Sequence, residues 1–106
     1  MFVAIYRWRV IPGCERQFEE GWRRGTIAIR NELGGWGSRL HRDADGAYIA
    51  YAQWPDEETW SRAVAAGMPH SDQEARKMYR DAIAEGGFET LYAMPVAVDE
   101  LDMRRA

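Results

Sequence analysis

FVAIYRWRVI, at residues 2–11, is the stretch that decides how this chain folds. It is rich in β-branched and aromatic side chains, and Pro12-Gly13 punctuates its end, so it predicts a first β-strand. Alternation along the strand separates two sets of side chains, Phe2, Ala4, Tyr6, Trp8 and Val10 on one side and Val3, Ile5, Arg7, Arg9 and Ile11 on the other. Both sides carry large apolar groups, which indicates a strand that is covered on both faces.

The spacing of apolar residues changes after this strand. From Cys14 to Leu33 they recur three or four positions apart, and charged residues fill the other faces, which predicts an amphipathic helix. Gly34-Gly35 is expected to end it. Two extended runs, 36–42 and 47–54, then flank an Asp-Gly pair and predict a hairpin.

The second half of the chain predicts a helix in two pieces and a last strand. Asp56 is a good N-cap for the first piece, which Pro69 is expected to end or kink. Ser71 with Glu74 is a capping-box pattern for the second piece, and we expect Gly86-Gly87 to close it. A last strand over residues 88–98 completes an α+β domain of order βαββαβ.

A homodimer is expected from this topology. Two right-handed β-helix-β crossovers place both helices on the same face of the sheet and leave the other face bare. Because neither face of the first strand is cleanly polar, something must cover the second face, and a two-fold copy of the same sheet is the economical cover.

Composition excludes several classes of function. The chain has 106 residues and a net charge of −3, and its basic residues are scattered, which argues against a nucleic-acid or membrane-surface partner. The N-terminus lacks the apolar region of a signal peptide and no apolar run is long enough to span a membrane, so a cytoplasmic location is expected. One cysteine and two histidines at unsuitable spacings predict no metal site, and no glycine-rich phosphate loop precedes a helix, so no cofactor is expected.

Several of these motifs together resemble the antibiotic biosynthesis monooxygenase (ABM) domain of the dimeric α/β-barrel superfamily. They are residues 5–13 with the helix that follows, Gly34-Gly35, and residues 50–55 leading to Trp60. The resemblance implies a ferredoxin-like, antiparallel four-stranded sheet over residues 1–98, a dimer, and a pocket between helices and sheet. The composition of residues 99–106 predicts a charged tail after this domain. Some members of that family oxidise aromatic polyketides with molecular oxygen and without metal or flavin.

Another branch of the family cleaves haem, and this chain departs from its pattern. Trp60 and His70 have that branch's spacing of ten, but they are not at its expected positions, which fall at Ala63 and Gln73. Its strand-one Asn is replaced by Tyr6. His70, next to Pro69, is therefore expected to be a loop residue.

Oxygen chemistry without cofactors requires a base or anion stabiliser, walls that hold an electron-rich ring, and a dry pocket. We predict His41 and Arg39, which share one side of strand two, as the catalytic residues facing a phenolate. The substrate-binding residues predicted beside them are Tyr6, Trp8, Tyr51, Tyr92 and Asn31. An ordinary surface role for His41 and an interface role for Arg39 are the competing interpretations.

Two functions from different classes are consistent with the sequence. The first is a cofactor-independent monooxygenase acting on a small aromatic or quinol-like metabolite. The second is a non-catalytic dimeric protein on the same fold that binds a small molecule or takes part in a stress response.

Overall fold

A computed structural model describes residues 1–102 of the chain. The elements follow one another as β1 (Phe2–Val10), α1 (Glu15–Leu33), β2 (Gly37–Arg42), β3 (Tyr48–Trp54), α2 (Glu57–Ala65), α3 (Gln73–Ala82) and β4 (Ile83–Pro95). The predicted α+β class and element order are confirmed. Residues 103–106 of the predicted charged tail lie outside the described residues, and the domain boundary at residue 98 stays a prediction.

The four strands form one antiparallel sheet in the order β2-β3-β1-β4, which is the ferredoxin-like arrangement. All three helices contact the same face of it: Phe18 of α1 and Tyr79 of α3 pack against Trp8, and Trp60 of α2 packs against Phe2. We call this the helix face and the opposite side the open face. The predicted alternation of β1 is confirmed, since Phe2, Tyr6 and Trp8 pack in the apolar clusters beneath the helices and Val3 and Ile5 do not.

Two apolar clusters hold the helices on the sheet. One is centred on Trp8, Phe18 and Tyr48, and the other on Phe2 and Trp54. Burying a large aromatic side chain stabilises a fold by about 1.5–3 kcal/mol, so these rings supply much of the driving force in so short a chain. The clusters meet at Tyr6, which packs against both.

Helix α1 ends as predicted, with Gly34 in the left-handed conformation at φ 83°. Asp56 caps α2 as predicted, because its side chain accepts a hydrogen bond from the Thr59 N–H at 2.8 Å. The predicted cap of α3 is wrong by one residue. Asp72 caps this helix through the Ala75 N–H, while the Ser71 hydroxyl donates to Glu32 of α1 at 2.6 Å.

The predicted role of Gly86-Gly87 is also wrong. Helix α3 ends at Ala82, and β4 begins at the next residue, so the two glycines lie inside the strand. Gly87 sits where β1 comes very close, since a Cβ there would lie 2.7 Å from the carbonyl oxygen of Arg9. Gly87 therefore permits a close strand contact, and the glycine pair does not stop the helix.

No helix within residues 1–102 is both long enough and apolar enough to cross a membrane.

Candidate active site

A cavity of about 320 Å³ lies between the helices and the helix face of the sheet. This volume is at the lower end of the range of about 300–1,000 Å³ that is typical of small-molecule sites. The cavity occupies the space between the two apolar clusters: Trp8 and Ala50 from one and Ala52 and Trp54 from the other line it, and Tyr6 joins them. A space of this kind suits a small, mostly apolar ligand.

Six aromatic rings form part of the walls. The rings that line the cavity are Tyr6, Trp8, Trp22, Trp54, Tyr79 and Phe88. Tyr6, Trp8 and Phe88 contact one another, with centroid distances of 5.7–5.9 Å. Phe88 is 48% exposed and therefore stands at the rim, where a planar ligand could stack on it.

Small residues make the room. Ala50 and Ala52 of β3 form part of the floor, and the side of α1 that faces α3 carries Gly21 and Gly25. A Cβ at Gly21 would lie 2.7 Å from the backbone nitrogen of Tyr79, so its absence lets α3 approach α1 closely. This close approach brings Tyr79 to the cavity wall.

Two hydrogen bonds between tryptophan and tyrosine organise the polar part of the wall. The Trp8 indole donates from Nε1 to the Tyr79 hydroxyl, and the Trp60 indole donates from Nε1 to the Tyr6 hydroxyl, both at 2.7 Å. Burial raises the pKa of Tyr79 to about 12, and burial also raises the pKa of Tyr6. Both phenols therefore stay protonated at neutral pH.

A basic group lies on the α3 side of the cavity, where His70 and Arg76 line the wall. The Nδ1 atom of His70 accepts a hydrogen bond from the Asp72 N–H at 3.2 Å, which assigns the proton of the neutral imidazole to Nε2. Burial, and then the Arg76 charge, lower the pKa of His70 below its usual 6.5. The imidazole is thus neutral at pH 7 and is a weak base.

The loop that carries His70 is held at several points. Arg76 donates to the Met68 carbonyl oxygen, and Met68 itself has the left-handed φ of 51°. On the other side, Arg24 of α1 donates to both carboxylate oxygens of Asp72, at 2.7 and 3.0 Å. These contacts fix the loop against α1 and keep His70 at the wall.

The charges around the cavity are of one sign. Arg30 near the end of α1 lines it together with Arg76, and no Asp or Glu of the described residues does. A site lined by cations and hydroxyl donors favours a ligand with an acidic oxygen over a neutral or cationic one.

Six of the seven predicted site residues lie on the sheet and are divided between its two faces, and Asn31 lies on α1. Tyr6 and Trp8 line the cavity. Arg39, Tyr51 and Tyr92 lie in one row on the open face, through the pairs Arg39↔Tyr51, Tyr51↔Ile5 and Ile5↔Tyr92.

His41 is exposed on the open face, opposite Ile49, and its Nδ1 lies 3.2 Å from the Ile49 carbonyl oxygen. Asn31 is exposed near the end of α1 and does not line the cavity, whereas its neighbour Arg30 does. The expected convergence of His41 and Arg39 with Tyr6 and Trp8 is therefore not seen. Alternation in β2 turns both side chains away from the helices.

The cavity contains polar residues that the sequence did not indicate as functional. Tyr79 lies on the apolar side of α3, a position that is typical of a core residue. Arg76 lies three positions earlier on the same side of the helix. A cation among apolar residues on one side of a helix is a sequence signal for a functional residue, and it could have indicated Arg76. His70 offered no such signal, because its position depends on the loop before α3 and on the contact of that loop with distant residues of α1.

A comparison with family models gives one match, to the antibiotic biosynthesis monooxygenase family over residues 1–85. The chain belongs to this family. Membership supports a monooxygenase-type function and confirms the resemblance seen in the sequence motifs. A comparison with curated proteins gave no match.

Solved structures share the fold. SnoaB, a cofactor-independent oxygenase from Streptomyces nogalater, is 18% identical and has a TM-score of 0.68, with 95% of this chain and 97% of that chain covered. An antibiotic biosynthesis monooxygenase structure from Bordetella bronchiseptica is 22% identical and has a TM-score of 0.69. The alignment covers 92% of this chain and 97% of that chain. At these identities the likeness establishes the fold.

Proposed function

We propose that this protein is a cofactor-independent monooxygenase that oxidises a small aromatic or quinol-like metabolite in the cavity. The observation that supports this most directly is the combination of ring walls, hydroxyl donors and cations in a lining without Asp or Glu among the described residues. Such a site stabilises the anion of a phenol or enol by preorganised electrostatics.

The anion is the species that oxygen chemistry requires. Ionisation of a ring hydroxyl or enol raises the electron density of the conjugated ring, and the resulting carbanion can transfer electrons to O₂. For a ring methylene the balanced reaction is R₂CH₂ + O₂ → R₂C=O + H₂O, in which the substrate supplies all four electrons and no other reductant is needed. The protein's part is to bind the ring, hold the anion and exclude water.

The site holds an anion better than it removes a proton. His70 has a lowered pKa and its Nδ1 is occupied by the Asp72 N–H. We therefore infer that the substrate loses its proton to solvent. The hydrogen-bond donors and cations around the bound oxygen favour this ionisation. Activity should then rise with pH along the ionisation of the bound substrate.

Oxygen uptake with a panel of hydroxylated anthrones, quinols and catechols tests the proposal. We expect turnover by the wild type, and its loss in Ala52→Leu, which places a larger side chain in the floor of the cavity. Arg39→Ala and His41→Ala are the open-face comparison and are expected to retain activity. Loss of activity in these two variants, with Ala52→Leu active, would place the reaction on the open face and refute the cavity as its site. Saturable binding of an aromatic ligand without oxygen uptake would support the non-catalytic function instead.

We also infer that the open face pairs with a second copy of the chain. Ile5, Tyr51 and Tyr92 form an apolar row across three strands, and Tyr92 is 62% exposed and Met94 42% exposed. Adjacent exposed apolar groups of this size are unusual on a monomer. Sedimentation should give the mass of two chains at micromolar concentration and of one chain for Tyr92→Glu, and a single-chain mass for the wild type would contradict the dimer.

A further inference from the structure

The two tyrosine–tryptophan pairs of the cavity have the same directionality. An indole N–H can only donate, so the hydroxyl oxygens of Tyr6 and Tyr79 are the acceptors in both pairs. Within residues 1–102 no protein group accepts a hydrogen bond from either hydroxyl. Each phenol therefore keeps its own proton for a partner inside the cavity.

Both phenol rings contact the same indole ring. The Tyr6 ring is 5.9 Å from that of Trp8, and the Tyr79 ring is 6.1 Å from it in an edge-on arrangement. Trp8 is 3% exposed, so its indole is fixed by the core and holds the Tyr79 oxygen in one place. Trp60 has the same role for Tyr6. Both donors are thus oriented before any ligand binds, which reduces the cost of binding.

We propose that the hydroxyls of Tyr6 and Tyr79 form a two-donor cradle for the ionised oxygen of a phenolic or enolic ligand. Trp8 and Trp60 are the positioning residues of this cradle. The inference rests on the proposed function for its relevance to turnover, although binding by the cradle does not require turnover.

The cradle also determines how the ligand lies. An oxygen held between β1 and α3 places the attached ring against Phe88 and Trp22, which line the same cavity. The ligand class follows from this geometry: a planar ring that bears an acidic hydroxyl directly on it. An aliphatic acid lacks the ring, and an aryl ether lacks the ionisable oxygen, so both are expected to bind poorly.

The expected loss of affinity follows from the strength of a hydrogen bond to a charged group. Removing one such donor from a buried site weakens binding of the anion by about tenfold to a hundredfold. The neutral form of the same ligand loses much less. The substitution should therefore be visible as a change in the ionisation of the bound ligand as well as in its affinity.

4-Nitrophenol is a suitable probe, because its phenolate absorbs visible light and its neutral form does not. The probe is titrated between about pH 4 and 9 with the wild-type protein in excess, and the ionisation midpoint is compared with that of the free probe. We expect bound probe to ionise at lower pH, and the shift to be reduced in Tyr6→Phe and in Tyr79→Phe. Trp8→Phe and Trp60→Phe should reduce it partly.

Tyr48→Phe is the matched control. Tyr48 is also a buried tyrosine of the helix face with a pKa raised to about 12, but its hydroxyl donates to Glu19 and it does not line the cavity. An unchanged midpoint on binding, or equal effects of Tyr79→Phe and Tyr48→Phe, would overturn the cradle. Circular dichroism of each variant verifies that it is folded.

The same variants separate the cradle from the proposed function. A shifted midpoint in a wild type that consumes no oxygen supports the cradle and refutes the oxygenase. Oxygen uptake that is unaffected by Tyr6→Phe and Tyr79→Phe supports the oxygenase and refutes a part for the cradle in turnover, whereas the ionisation midpoint of bound 4-nitrophenol tests the cradle itself.

Discussion

The close contact between α1 and α3 leads to a prediction in which two glycines of one helix behave in opposite ways. Gly21 and Gly25 are both buried in the middle of α1, one turn apart. Replacing a mid-helix glycine by alanine stabilises a helix by about 1 kcal/mol where the new methyl group is accommodated. The two positions differ in what that methyl group would meet.

At Gly21 the methyl carbon would lie 2.7 Å from the Tyr79 nitrogen and 2.9 Å from the Ala75 carbonyl oxygen. Both are backbone atoms of α3, so they can move only if the helix moves. Overpacking of this kind costs about 1–3 kcal/mol, and we expect a cost of about 2–3 kcal/mol here because two backbone atoms are in the way. After the gain in helix propensity, we expect Gly21→Ala to be less stable than the wild type by about 1–2 kcal/mol.

At Gly25 the nearest atom is Nε2 of His70, at 3.4 Å, which is an ordinary contact with the end of a side chain. Gly25→Ala should therefore retain most of the propensity gain and be more stable by about 0.5–1 kcal/mol. Urea denaturation at one protein concentration measures both variants, with the slope of the transition as the check that the unfolded state is unchanged. Equal midpoints for the two variants, or a Gly21→Ala protein as stable as the wild type, would refute the contact between α1 and α3.

Three further outcomes are expected. Because burial lowers the pKa of His70 below 6.5, the unfolded chain binds a proton there that the folded chain does not, so stability should fall as pH drops through 6.5. His70→Gln should show a smaller fall in thermal melts at the same pH values. Arg24→Met should remove the clamp on Asp72 and Glu74 and destabilise the protein, and added salt should reduce the difference from the wild type. Tyr48→Phe should lose about 1 kcal/mol of stability with the hydrogen bond to Glu19, measured by urea denaturation, and leave oxygen uptake unchanged.

Local signals in the sequence were sufficient for most of the fold. The alternation in β1, the left-handed glycine after α1 and the Asp56 cap each involve residues within a few positions of one another, and all three predictions are confirmed. The errors involve distant partners. Gly86-Gly87 is typical of a helix end, whereas the close neighbour of Gly87 is the carbonyl oxygen of Arg9 on another strand.

The candidate site was less predictable for the same reason. Tyr6 and Trp8 were assigned to a pocket because β1 alternation identifies their face, but the groups opposite them come from α3 and the preceding loop. Tyr79 reaches the cavity only because Gly21 lets α3 approach α1. The Trp60 hydrogen bond to Tyr6 joins residues 54 positions apart, and no spacing rule indicates such a pair.

The placement of Tyr92 shows how one residue divides the last strand between the two faces of the sheet. Residues 88, 90 and 92 would share a face in a regular strand. In this chain Phe88 pairs with Trp8 and Thr90 with Tyr6, but Tyr92 pairs with Ile5, so the strand contains a bulge between Thr90 and Tyr92.

A bulge adds one residue to one strand and reverses the facing of the side chains beyond it. Phe88 and Thr90 therefore line the cavity, while Tyr92 and Met94 join Ile5 and Tyr51 on the open face. One strand thus supplies the rim of the proposed substrate site and a large part of the proposed dimer surface. Substitutions at residues 88 and 90 should affect ligand binding, and substitutions at residues 92 and 94 should affect association of two chains. This separation of effects depends on the bulge at Leu91.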